Sequence, residues 1–227
     1  MIEIDLAKSS VRELNQRLHR LNPGNNEPSW RVLNPNGAHA IAVGITVPID
    51  IEIRGHVGYY CAGMNAAANV VIAGHAGTGV AENIMSGVVR VRGNAAQSAA
   101  ASGRGGLVVI DGDASARCGI SMKGVEIVVA GSVGHMSAFM GQAGTLVVCG
   151  DAGPDLGDSI YEAEIFVAGK VASLGADCIE KGLDDAAVAR VATLLEGAGV
   201  AADAAYFRRY GSARRLYNFH IDHAAEY

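Results

Sequence analysis

The chain has 227 residues, half of them hydrophobic, and a formal net charge of −5 at pH 7. That length gives one sizeable core with terminal elaborations, and the acidic balance argues against a general nucleic-acid binder. No apolar run reaches transmembrane length, and the start MIEIDLAKSS lacks the basic and apolar regions of a secretory signal, so a cytoplasmic location is expected.

Residues 1–44 read as an N-terminal helix and capping loop. Ser10-Val11-Arg12-Glu13 has the form of a capping box. Leu14, Leu18 and Leu21 follow at helical spacing, and Pro23-Gly24 stops the helix. Residues 22–44 are rich in Asn, Pro and Gly and suit a loop that could hold an irregular first turn of a coil. Trp30, the only tryptophan, is a candidate to seal that end.

Residues 45–182 carry a repeat. Gly55, Gly74, Gly93, Gly112, Gly131, Gly150 and Gly169 fall 19 residues apart without interruption. A fixed period in this range marks a stacked architecture. Four residues before each glycine stand Ile51, Val70, Val89, Val108, Ile127, Leu146 and Ile165. Two before stand Ile53, Ile72, Val91, Ile110, Val129, Val148 and Val167. Alternating aliphatic residues ahead of a glycine read as a short strand entering a turn, where the glycine permits positive φ or close approach. Seven residues after each glycine stand only Ala or Gly, which marks a crowded inward corner.

Nineteen residues are too few for a strand plus a long helix. They suit a coil turn of two or three short strands, stacked about 4.8 Å from the next. The fold predicted is an all-β solenoid, a right-handed parallel β-helix of about seven rungs with N-terminal and C-terminal helical caps. A leucine-rich-repeat solenoid is disfavoured because its leucine ladder is absent.

Residues 183–227 read as a C-terminal helix and docking tail. Asp184 and Asp185 open the helix, and Val188, Val191, Leu194 and Leu195 give it an apolar stripe. It either caps the upper end or packs along a face. The tail after it gathers Tyr206, Phe207, Arg208, Arg209, Tyr210, Arg214, Arg215, Tyr217 and Phe219. Aromatics and arginine are enriched at protein interfaces, so these residues are the candidate partner interface. The plain alternative is that the tail folds back on its own β-helix. On the docking reading, removing 206–227 leaves the β-helix folded and impairs assembly.

Candidate chemistry is sparse. Gly74-His75-Ala76-Gly77-Thr78-Gly79 looks like a dinucleotide fingerprint but belongs to the repeat series. Ser102-Gly103-Arg104-Gly105-Gly106 could cradle an anion, but no GK[ST] follows. His56 and His75 share a column on adjacent rungs without an evident third ligand; Asn94 and Asp113 continue that column as a solvated polar ladder. Asp151, Asp155 and Asp158 resemble a surface loop with turn residues. Cys61, Cys118, Cys149 and Cys178 form no CxxC pair and read as reduced structural cysteines. No catalytic, cofactor-binding or metal-binding residue is assigned.

The repeat also has a G-x-x-G pattern, as in Gly55-His56-Val57-Gly58, Gly131-Ser132-Val133-Gly134 and Gly150-Asp151-Ala152-Gly153. It resembles the glycine-repeat β-helix at the C-terminus of the glutamate synthase large subunit. Ala96, Ser115 and Ala172 depart from the second glycine but stay small. The ending Tyr210-Gly211-Ser212-Ala213-Arg214-Arg215-Leu216-Tyr217-Asn218-Phe219 looks like that of stand-alone versions of this domain.

The resemblance implies a non-catalytic subunit of a glutamate synthase-like flavoenzyme complex. Its implied partners are a class II glutamine-amidotransferase-like subunit and a synthase-like subunit carrying FMN and an iron–sulfur cluster. The implied activity of the complex is N-methylglutamate synthase, which converts glutamate and methylamine to N-methylglutamate and ammonia. The alternative is the similar glycine-repeat β-helix carried by a non-catalytic subunit of formylmethanofuran dehydrogenase, or of its formyltransferase/hydrolase relatives. An autonomous ligand-binding or catalytic β-helix is a third reading, of a different class.

Overall fold

The computed structural model describes residues 1–22 and 29–214. Pro23-Gly24, Arg215, Tyr217 and Phe219 lie outside the described residues.

Among the described residues eleven strands form one sheet. In chain order they are β1 (Ile2–Asp5), β2 (Trp30–Leu33), β3 (Asp50–Arg54), β4 (Asn69–Ile72), β5 (Val88–Val91), β6 (Leu107–Ile110), β7 (Lys123–Val129), β8 (Ala143–Val148), β9 (Glu164–Val167), β10 (Cys178–Lys181) and β11 (Arg208–Ser212). Helix α1 spans Val11–Leu18 and α2 spans Asp185–Ala198. Sheet order is sequential from β1 to β9, then β11, then β10.

Strands β1 to β9 pair in parallel. From β3 to β9 the register steps by the repeat length: Ile51 faces Val70, Val70 faces Val89, and so on to Leu146 facing Ile165. These side chains point into the coil and are buried. Thus the aliphatic columns are the wall of a parallel β-solenoid.

The other two sides of each rung differ from the two or three strands expected. One side is a single-residue parallel bridge, running from Val57↔Ala76 to Ala152↔Val171. The third is an arc in which alternate residues are left-handed, as at Tyr60, Ala62 and Met64, with φ of 58°, 54° and 53°. The alternation sends successive amides in opposite directions. Tyr60 N–H donates to Thr78 O above, Ala62 N–H to Ile41 O below, and Met64 N–H to Glu82 O above. The arc thereby satisfies its backbone without being a strand. Its central position is the small-residue column: Ala62, Ala81, Ala100, Gly119, Ala138 and Gly157 all have positive φ. There a side chain beyond a methyl group would meet the opposite wall.

The repeat glycines serve closeness rather than φ. Only Gly55 among the seven takes a positive φ, +137°. A Cβ on Gly112 would lie 2.1 Å from Asn94 Oδ1 and 3.0 Å from the Gly93 backbone.

Both ends of the coil are plugged. Trp30 on β2 fills the lower end inside the same core as Ile51 and Ile53, with the Arg17 guanidinium 5.1 Å from its ring centroid. Helix α1 replaces the missing rung beneath the first arc. It starts at a capping box between Ser10 and Glu13 and buries Leu14 and Leu18. Its Asn15 donates to Ala40 O at 2.8 Å and accepts from Ala42 N–H at 3.0 Å. Strand β2 supplies the irregular first turn, and β1 extends the sheet one strand further.

Tyr210 on β11 fills the upper end, with the Arg208 guanidinium 5.8 Å from its ring centroid. Of the two placements expected for the C-terminal helix, the structure takes the face. Three residues before each repeat glycine the side chain points outward. There β3 to β5 carry Glu52, Val71 and Arg90, whereas β6 to β9 carry Val109, Val128, Val147 and Phe166. That outer apolar stripe packs against Ala187, Val191, Leu195 and Ala198 of α2. Arg90 Nη1 closes the helix end by donating to Ala198 O at 2.6 Å. The chain then returns through a 3-10 turn, Ala204–Tyr206, and β11 inserts antiparallel between β9 and β10.

Candidate functional site: the partner interface

The tail singled out in the sequence divides between interior and surface. Phe207 is buried against α2 and the outer stripe. Tyr210 is buried at the upper end of the coil. Arg209 Nε donates to Glu164 Oε1 at 2.7 Å, its Nη2 pairs with the same carboxylate, and its Nη1 reaches Asp184 at 3.4 Å. Arg208 donates to Gly169 O at 2.8 Å, and Arg214 pairs with Asp177. Tyr206, 77% exposed, is the tail aromatic that the described residues leave on the surface. The docking area offered by residues 206–214 is therefore Tyr206 with the outer sides of Arg208 and Arg214. Residues 206–214 supply the strand between β9 and β10 and the upper plug, so a truncation from 206 removes part of the coil's own structure along with any docking surface.

The polar column after the glycines is a ladder of side chains bound to the backbone above. His56 Nδ1 accepts from His75 N–H at 2.9 Å, and His75 Nδ1 from Asn94 N–H at 2.8 Å. Asn94, Asp113, Ser132 and Asp151 continue it, each accepting from the residue one rung up, as far as Lys170 N–H. The His56 and His75 rings stack at 4.9 Å. A metal on Nε2 of either ring would require a proton on Nδ1, which here faces a donor. The pair is thus built as a rung staple rather than a ligand pair.

The glycine-rich motifs spend most of their amides on the coil itself. Ala76, Gly77 and Gly79 donate to Asn94 O, Val57 O and Gln97 O. Ser102 and Arg104 donate to Ile120 O and Ile84 O. A phosphate cradle needs free, converging N–H groups at a helix start, and here the amides diverge to the rungs above and below. The acids are likewise engaged. Asp155 Oδ2 lies 3.2 Å from His135 Nε2, and Asp158 accepts from Ser159 Oγ at 2.7 Å.

The thiols do not converge. Burial pushes Cys61 and Cys118 up to about 12 and Cys178 to about 11, and it raises Cys149. Protonated, buried thiols are neither nucleophiles nor ready cluster ligands. Among the described residues no three His, Cys, Asp or Glu side chains gather to hold a metal ion, and no helix is long and apolar enough to cross a membrane.

One charged cluster was missed in the sequence. Glu126, Thr145 and Glu164 stand at one position on β7, β8 and β9. Arg190 on α2 reaches Glu164 at 2.7 Å and Glu126 at 3.6 Å. With Arg209 and Asp184 this network ties α2 and β11 to the sheet. The signal was available as acids five residues before Gly131 and Gly169, opposite an arginine on the polar side of α2. A cleft of about 550 Å³ opens beside it, where Tyr161 and Glu162 face Lys181, Arg209 and Arg214. Its arginines are already paired, so it is a seam between β9, β11 and β10 rather than a prepared ligand site.

No family model matches the chain, and no solved structure matches it. Protein GlxC of Rhizobium meliloti (strain 1021) is 58% identical over 225 residues, covering 99% of each chain. Identity at that level over the whole length includes the solenoid, both terminal segments and the described tail. The chain belongs to the family of protein GlxC.

Proposed function

We propose that this chain is a non-catalytic assembly subunit of a multi-subunit glutamate synthase-like flavoenzyme, with N-methylglutamate synthase as the specific complex. The observation that carries the reading is how fully the solenoid's polar groups are used. Ladder side chains, arc amides and glycine-rich turns each serve the adjacent rung, so the fold invests its chemistry in a rigid column. The G-x-x-G series and the tail ending support the glutamate synthase-like assignment, and the GlxC relationship is compatible with it.

The described cysteines do not fit an iron–sulfur cluster. Cys61 and Cys118 share a column three rungs apart, about 14 Å, and both thiols are buried inside the coil. A cluster needs converging thiolates. In this reading the cofactors belong to a synthase-like partner, and a class II amidotransferase-like partner handles the amine or ammonia. The solenoid contributes a fixed separation between them.

Affinity purification of the tagged chain from its native cell, with identification of the bound chains, tests this. The reading predicts a flavin and iron–sulfur partner together with an amidotransferase-like partner. A molybdenum, tungsten or formyltransferase partner would contradict it, and so would turnover by the isolated chain.

A further inference from the structure

One column of the solenoid is built unlike the ladder. Met85, Arg104, Lys123, Gln142 and Tyr161 follow one another at the repeat spacing along the corner where the arc meets the next strand. Met64 and Met140 stand two residues earlier in their rungs, beside this column. Met64, Met85, Met140 and Tyr161 are each 40–49% exposed, and Arg104 and Lys123 are exposed between them. Neither cation makes an ion pair among the described residues. Their amides belong to the coil, Arg104 N–H to Ile84 O and Lys123 N–H to Gly103 O, so only their side chains are uncommitted.

The result is a stripe about 24 Å long from Met64 to Tyr161. It is apolar at both ends and doubly positive in the middle, on a chain of net charge −5. Two like charges on adjacent rungs, without a counter-ion among the described residues, repel each other unless something answers them. Methionine, tyrosine and arginine are the side chains that interfaces favour, and methionine adapts its shape to what covers it.

We propose that this stripe docks a partner subunit of the complex, through carboxylates that meet Arg104 and Lys123 between apolar side chains that cover the methionines and Tyr161. This rests on the assembly role proposed above. A protein fits better than a nucleic acid. Two cations neutralise too few phosphates for tight binding, and the methionines beside them offer a phosphate chain nothing.

The test uses the tagged full-length chain, purified with its partners. A carbodiimide joins Lys123 to any carboxylate in direct contact, and mass spectrometry maps the link. The double variant R104E/K123E is purified in parallel, and its melting temperature is measured. The proposal expects Lys123 linked to an Asp or Glu of an identified partner subunit. It also expects about tenfold or more loss of that subunit from the variant, because like charges face each other across the contact, with melting unchanged. A M85S/M140S variant gives a second, charge-independent reduction. Partners recovered undiminished by both variants overturn the stripe while leaving the assembly role standing. A link from Lys123 to a second copy of this chain also overturns it. A wild-type chain that recovers no partner overturns both proposals together.

Discussion

His56 Nδ1 accepts the backbone N–H of His75 at 2.9 Å, while the two rings stack at 4.9 Å. The same relationship climbs the column through Asn94, Asp113, Ser132 and Asp151. From His75 upward each acceptor sits where a Cβ on the next repeat glycine would project, whereas at Gly74 that Cβ would meet the Gly55 backbone. The glycine and the polar residue after it are therefore one device. The glycine clears the space, and the side chain one rung below fills it.

That device predicts the cost of a methyl group. Gly112→Ala places a Cβ against Asn94 Oδ1 and the Gly93 backbone, and overpacking of this kind costs about 1–3 kcal/mol. Gly182→Ala, with nothing within 4 Å of its Cβ, is expected to be neutral. Chemical denaturation of the two variants checks the contrast. Equal stability would contradict the ladder account.

The ladder also fixes proton positions. Because Nδ1 of His56 and His75 accepts a backbone N–H, the ring proton of each neutral histidine lies on Nε2. Long-range nitrogen–proton correlation spectra are expected to show this tautomer for both. Observation of Nδ1–H at either ring would contradict it.

Much of the rung was legible. The glycine spacing and the aliphatic columns before it translate directly into the observed register, because parallel stacking brings residues one period apart into contact. The sequence left the reason for the glycine open between positive φ and close approach, since the obstructing neighbour lies a whole rung away in sequence. The place of α2 was written in the outward column of Val109, Val128, Val147 and Phe166, but the inward columns drew the reading. The division of the tail between interior and surface was not legible for a physical reason. Arginine and aromatics suit a foreign interface and an intramolecular seam equally well, and antiparallel insertion of β11 leaves no local periodicity.

The insertion changes what truncation should do. A chain ending at residue 214 keeps β11 between β9 and β10 and is expected to retain the upper plug. A chain ending at residue 205 loses Phe207, Tyr210 and a strand, and is expected to melt at a markedly lower temperature. Identical melting of the two truncations would contradict the role given to β11.

The upper plug has its own signature. Tyr210 is buried, and its hydroxyl finds no hydrogen-bond partner among the described residues. Tyr210→Phe therefore removes a desolvated polar group and is expected to be neutral or stabilising. Tyr210→Ala empties the end of the coil at a cost of about 3–5 kcal/mol. Denaturant titration separates the two, and a large loss in the phenylalanine variant would contradict the packing account.

The buried thiols make stability depend on alkaline pH. Burial raises Cys61 and Cys118 to about 12 from an ordinary 9.0. Below pH 9 both are protonated in folded and unfolded chains, and their contribution is fully present. As pH rises from 9 towards 12 the unfolded thiols ionise first, so stability is lost across that window. At pH 8 both are expected to resist a thiol reagent until the chain unfolds. Rapid labelling of the native protein would contradict their burial.

The central claim is that this solenoid holds other subunits together and does no chemistry itself. Native mass spectrometry of the partner subunits, purified with and without this chain, tests it most directly. The account predicts one assembly containing all the subunits when the chain is present, and separated partners when it is absent. An assembly of the remaining subunits that persists intact without the chain would contradict it.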